Sequence, residues 1–262
     1  MTIHVIIPCS KSKAHPPSDD LVWNEETTLE KWSLAWADPS LERFRPTELY
    51  TGRATKQQLQ IVGENQDACA YIISAGGGLV RVSDETKIPS YESTFGRAGP
   101  EAYDMHKLPY GGLSNIELRG GDSVVAFAPS SYLRAILRDP ELPRISEHMV
   151  APMNSCLGDI CQFPVRIHPR IKEVLGVASA DLNTELVRIF LEGGISAIES
   201  TSHKADGLPP LPKRRRVSDE ELFEIVKEYS EGRTAMELVR FIRDNLNISA
   251  SVERIGEARN RN

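Results

Sequence analysis

The chain has 262 residues, 40 % of them apolar and 26 % charged, and carries a formal net charge of −6. That length suits one large domain, or one large and one small domain. The acidic balance excludes a uniformly basic coat for nucleic acid, and the absence of any apolar run of about 18 residues excludes a hydrophobic bilayer-spanning helix. The N-terminus lacks the basic region and long apolar stretch of a signal peptide, so a cytoplasmic protein with no membrane partner is expected. Four scattered cysteines, Cys9, Cys69, Cys156 and Cys161, fit reduced thiols. Cys156, Cys161 and His168 have the wrong spacing for a zinc knuckle, and no metal or other cofactor is expected.

Residues 3–8 form an apolar, β-branched run that ends in Pro8-Cys9-Ser10-Lys11-Ser12-Lys13, a strand followed by a polar loop. Helical spacing of Leu29, Trp32 and Trp36 predicts a helix within 25–36, and Leu59 and Val62 mark the inner side of a second over 51–62. Residues 68–74 read as a buried strand that stops at Gly76-Gly77-Gly78. A long loop with short helices is expected over 82–121, and loops of that length in compact domains are usually functional. Residues 122–128 form a third strand, followed by a helix over 131–138; 145–151 and 163–167 are further strand candidates, and 180–192 is a helix on Leu182, Leu186 and Ile189. Strands alternating with helices predict an α/β fold, a three-layer sandwich around a mostly parallel central sheet.

The expected division is an α/β domain over 1–204, a Pro-rich basic linker over 205–217, and a helical domain over 218–262. Ser218–Glu221 and Thr234–Glu237 are capping boxes that open two helices, and Ser251 opens a third. From Lys213 onward there are 11 Lys and Arg against 10 Asp and Glu. Four of the basic residues are consecutive: Lys213, Arg214, Arg215 and Arg216. The three short helices have the length of a helix-turn-helix, with Arg254 and Arg259 on the last. These six cations are the candidate DNA contacts, and a helical protein-interaction domain is the alternative.

Parallel sheets bind ligands outside the carboxyl ends of their strands. Three clear strands end in small or polar residues: Cys9 and Ser10, Ser74 and Gly76, and Ser130 and Ser131. The triglycine Gly76, Gly77 and Gly78 lets backbone amides approach a ligand, or else makes a tight strand-to-helix turn. It fits neither a dinucleotide fingerprint nor a Walker A loop. The loop after the first strand offers Cys9, Ser10 and Lys13 to an anion or carbonyl. Tyr91 beside Glu92 offers an aromatic ring for stacking and a carboxylate for activating water or stabilising positive charge. Asp84 competes for the carboxylate role, and Tyr50 and Arg53 are rim candidates.

Taken in order, the segments Ile6–Lys13, Glu48–Arg53, Ile73–Val80, Ile88–Glu92 and Ala128–Tyr132 resemble bacterial and phage proteins of the uracil-DNA-glycosylase-like superfamily. The Pro-Cys-Ser-x-x-Lys element is similar to one in archaeosine synthase, where the lysine attacks a nucleobase, although here the chain continues Lys13-Ala14-His15-Pro16. The resemblance spans about residues 3–135. It implies a phage-defence DNA glycosylase that flips a modified base out of double-stranded DNA, for example glucosylated hydroxymethylcytosine, and hydrolyses its N-glycosidic bond. Glu92, then Asp84, would support the bond cleavage, and Tyr50 or Tyr91 would stack on the base. The amides of Gly76–Gly78 and the hydroxyls of Ser10, Ser74 and Ser130 would bind base or phosphate. Two alternatives stay open: a transferase or hydrolase acting on a free nucleotide or tRNA base with Lys13 as nucleophile, and a non-enzymatic DNA-binding protein that senses a nucleotide.

Overall fold

The computed structural model describes residues 1–95, 104–210 and 215–260. The chain forms two units, Met1–Gly207 and Leu208–Asn262. In chain order the first contains β1 (Ile3–Pro8), α1 (Leu29–Ala37), β2 (Arg43–Phe44), α2 (Pro46–Leu49), α3 (Arg53–Gly63), β3 (Ala68–Ser74), β4 (Gly78–Arg81) and β5 (Ile88–Pro89). It continues with β6 (Ser123–Val125), α4 (Ser130–Leu137), α5 (Leu142–Ser146), β7 (Met149–Pro152), β8 (Phe163–Val165), α6 (Ile171–Leu175) and α7 (Leu182–Asp206).

The runs that predict β1 and β3 are apolar at successive positions, so both faces of each strand must be covered. Val5, Ile7, Ile72 and Val125 face one way and pack with Trp32, Val62, Leu186 and Phe190 of α1, α3 and α7. Ile6, Tyr71, Ile73 and Val124 face the other way and pack with Leu113, Leu133, Ile136 and Ile145. The result is an α/β sandwich of three layers around a six-stranded sheet ordered β4-β3-β1-β6-β7-β8. Every pairing in it is parallel except that of β3 with β4. The loops that follow Pro8, Ser74 and Val125 therefore leave from one edge of the sheet.

Three local expectations are corrected. The triglycine does not lead into a helix; it turns the chain back as the antiparallel edge strand β4, in which Leu79 and Val80 are buried. Ile145 is not in a strand but in α5, where Leu142 and Ile145, three apart, both enter the core. The helix expected to stop at 192 breaks at Gly193 and Gly194, whose backbones are non-helical (φ −153° and +65°), and then resumes to Asp206. Ile198, Ser202 and Ala205 bury that second half, and Ser202 donates to the Arg166 carbonyl at 2.9 Å. The first residues of the expected linker are accordingly helical.

At the amino edge of the sheet a buried carboxylate joins β1 to β6. Asp122 accepts from the amides of Thr2 (2.7 Å) and Arg119 (2.9 Å), and its other neighbour is the buried His4 ring at 3.5 Å. The two amides, aided by His4, hold the Asp122 carboxyl at about 2, below its ordinary 3.8.

The described residues of the second unit form α8 (Asp219–Tyr229), α9 (Ala235–Asn245) and α10 (Val252–Asn260). The Ser218 hydroxyl accepts from the Glu221 amide, and Thr234 and Glu237 form the reciprocal cap at α9. Leu222, Val226, Leu238, Ile242 and Ile255 make a small core of their own.

Asp122→Ala leaves two amide donors without their acceptor and is expected to destabilise the protein by about 1–3 kcal/mol, measured by urea unfolding at neutral pH. Because the carboxyl titrates lower in the folded than in the unfolded chain, the wild-type advantage holds above its ordinary 3.8 and is lost as pH falls towards about 2.

Candidate active site

The loop after β1 is folded by its own serines. Ser10 is buried, and its hydroxyl accepts from the Ser12 amide and donates to the Ser12 carbonyl, both at 3.0 Å. This turn brings Lys13 alongside Tyr50 as an isolated antiparallel bridge. Gly52 then passes so close that a Cβ there would lie 2.2 Å from the Ser10 oxygen. The motif after α2 and the motif after β1 are thus seated on each other.

Behind them lies a buried chain of hydroxyls. The Gly77 amide donates to Ser74 Oγ (2.8 Å), Ser74 donates to Tyr91 Oη (2.7 Å), and Tyr91 and Tyr50 share a hydrogen bond of 2.9 Å. Ser74 and Tyr50 are completely buried and Tyr91 is 1 % exposed. Burial, with the Cys9 side chain nearby, pushes both phenols far above their ordinary value, so they remain neutral donors. Gly76 lies flat against the Tyr91 ring, where a Cβ would meet it at 2.5 Å, and the Gly76 carbonyl accepts from Trp32 Nε1 at 2.7 Å.

Lys13 is half-buried, with Nζ 4.1 Å from the centre of the Tyr91 ring and 5.9 Å from that of Tyr50. Burial lowers its amine below the ordinary lysine value, against the opposing pull of Cys9 and Glu92. In front of it opens a cleft of about 510 Å³ lined by Lys11, Lys13, His15, Glu92, Ser93 and Thr94, among others. That is the size of a small-ligand site. The Glu92 backbone is fixed by Leu21 and Trp23, through bonds of 2.8 Å each, while its side chain is exposed. A depression of about 380 Å³ elsewhere is lined by Asp19, Asp20 and Glu26 with only Lys31 to offset them. Its charge repels a phosphodiester.

The structure therefore brings Cys9, Ser10, Lys13, Tyr50, Ser74, Gly76, Gly77, Tyr91 and Glu92 together, but redistributes their tasks. Tyr50 and Tyr91, expected to stack on a base, have no open face and form the floor. Ser74 and the Gly77 amide bind each other and Tyr91 rather than a ligand, and Gly78 is buried in the hairpin ladder. Asp84 is outside the cleft: its side chain is 96 % exposed and faces Arg45 at 3.9 Å. Arg53 is held by Asp181 at 2.6 Å, and Ser130 and Ser131 sit at the start of α4, not among the cleft-lining residues.

Two residues join the site unannounced by the sequence. The Tyr132 hydroxyl donates to the Cys9 carbonyl (3.1 Å) and lies 3.4 Å from Cys9 Sγ, although the two residues are 123 apart. His15 is exposed, lines the cleft and stacks on Phe44 at 3.8 Å with 7° between the rings.

In the helical unit the expected DNA contacts are largely spoken for. Arg254 pairs with Asp219 at 2.6 Å and donates to the Val217 carbonyl, and Arg259 donates to the Arg233 carbonyl. Arg215 pairs with Glu221 at 2.6 Å, Arg216 is exposed, and Lys213 and Arg214 lie outside the described residues. No described helix is long and apolar enough to cross a membrane. Comparison with protein-family models, curated proteins and solved structures returns no match.

Tyr91→Phe leaves the buried Tyr50 hydroxyl without its partner and the Ser74 hydroxyl without an acceptor, although Ser74 still accepts from the Gly77 amide. It is expected to cost about 1–3 kcal/mol, seen as a lower thermal midpoint with unchanged far-ultraviolet circular dichroism.

Proposed function

We propose that the cleft excises a base from DNA by cleaving its N-glycosidic bond, as the resemblance to uracil-DNA-glycosylase-like proteins implies. The observation that carries this is the placement of a desolvated amine, Lys13, and an exposed carboxylate, Glu92, in one cleft beside a stacked imidazole, at the carboxyl edge of the sheet. Each group answers one demand of the reaction. A nucleotide extruded from the duplex needs a ring to stack on, and His15 on Phe44 offers it. Its phosphates need cations, and Lys11 at the rim is free of the tyrosine floor. Cleavage passes through an oxocarbenium-like sugar, which a carboxylate stabilises; Glu92 fills that place. The floor of Tyr50, Tyr91 and Ser74 stays neutral and adds no charge of its own to the cleft.

A modified base such as glucosylated hydroxymethylcytosine is the substrate class we favour, in keeping with a role in defence against phage. The basic run around Arg216 supplies phosphate contacts in the flanking duplex, and binding weakens with added salt. With Arg254 and Arg259 engaged internally, the last helix contributes shape to that unit rather than free charge.

Incubation with duplexes carrying different modified bases, followed by alkaline cleavage at abasic sites, is expected to show release from at least one. Glu92→Gln should slow that release about 10²–10⁴-fold while leaving thermal stability unchanged, since the side chain is exposed. Failure to generate abasic sites in any DNA, modified or plain, overturns the proposal.

A further inference from the structure

The Lys13 amine is half-buried at the cleft and drawn away from bulk solvent. A lysine free on the surface is a hydrated ammonium on a flexible stem. Lys13 instead lies on the Tyr91 ring with its nitrogen 4.1 Å from the centroid, and among the described residues its hydrogen-bond acceptor is the Ser10 carbonyl at 3.5 Å. Among the described residues no carboxylate forms an ion pair with it, whereas Lys107 pairs with Asp104. Desolvation in an apolar setting is one way a protein makes a lysine nucleophilic, and the same burial lowers the amine here. Lys11, two residues away, lines the cleft but is exposed and has no such setting.

Resting on the excision proposed above, we infer that Lys13, rather than water, is the nucleophile at the sugar, so that the protein is also a lyase acting on abasic sites. The neutral amine forms a bond to C1′ as the bond from C1′ to the base nitrogen breaks. The base leaves with that electron pair and takes up a proton, and the nitrogen gives one proton to the Glu92 carboxylate. The C1′–O4′ bond then opens, O4′ takes a proton, and a protonated imine joins Lys13 to C1′. Removal of a proton from C2′ expels the 3′ phosphate, and water frees the lysine from the unsaturated aldehyde. On DNA that already carries an abasic site the first step is simpler. The open-chain aldehyde and the amine condense to the same imine with loss of water.

A duplex with one abasic site, prepared by removing uracil from a defined position, tests this without knowledge of the natural base. Treatment of the full chain with this duplex and sodium borohydride is expected to trap a covalent adduct, by delivery of hydride to the imine carbon. Peptide mass mapping should place the adduct on Lys13. Lys13→Ala should reduce it to about a tenth or less, while replacing Lys56, an exposed lysine of α3 outside the cleft, by alanine retains it. Should Lys13→Ala fail to fold, the mapping on the wild-type chain decides alone. No adduct in the wild type, an adduct mapped elsewhere, or one undiminished in a folded Lys13→Ala protein overturns the inference. Base release from modified duplexes is scored separately: release without an adduct overturns the amine step and leaves excision standing, and an adduct without release from any DNA supports the amine step and counts against excision.

Discussion

The site depends on one buried hydrogen-bonded chain, Gly77 amide to Ser74 to Tyr91 to Tyr50. Its members come from the end of β3, the hairpin turn, the segment after β5 and the junction of α2 with α3. A hydroxyl in a dry interior must find a partner or pay its desolvation cost, so the three side chains can meet in only a few arrangements. The glycine at 76 then lets the hairpin lie against the Tyr91 ring, and the serine turn after β1 lays Lys13 on that ring's other neighbourhood. A polar network at the foundation thus produces, at the surface, one amine in a low-dielectric setting.

Charge placement at the opposite edge follows different rules. Asp122 and His4 are also buried and hydrogen-bonded, yet the carboxylate there is satisfied by two amides. It joins strands β1 and β6. The contrast between the two edges separates a polar cluster that closes on itself from one that leaves a reactive group facing an opening. In the helical unit the same distinction applies to arginine. Arg254 and Arg259 look like a basic recognition face when only their spacing is considered, but their guanidinium groups are occupied by Asp219 and by backbone carbonyls.

The limits of β1 and β3, the cap residues Ser218 and Thr234 and the layered architecture were legible in the sequence because each rests on a local pattern, although only Thr234 and Glu237 close the reciprocal box. Apolar runs four to seven residues long have few folds open to them, and a serine or threonine three residues before a glutamate caps a helix by itself. The gathering of Cys9, Lys13, Tyr50, Ser74 and Tyr91 was legible as well, from motif order and the strand-end rule. Side-chain tasks were not. That Tyr91 is floor and His15 is wall depends on which ring is covered by Trp36, Gly76 and Lys13, and no periodicity encodes that. Tyr132 meets Cys9 across 123 residues. The second half of α7 was hidden by Gly193 and Gly194, which end a helix by local rules and here only interrupt it, since the residues beyond them bury Ile198 and Ala205.

The central claim is that the Lys13 amine sits desolvated on the Tyr91 ring. Nuclear magnetic resonance of the chain with ¹³C-labelled lysine, assigned by Lys13→Arg, tests it directly. The Lys13 ε-methylene signal should be moved upfield by the aromatic ring and should titrate below the other lysines, with both effects lost in Tyr91→Ala. A Lys13 signal that coincides in shift and titration with the exposed lysines would contradict the account.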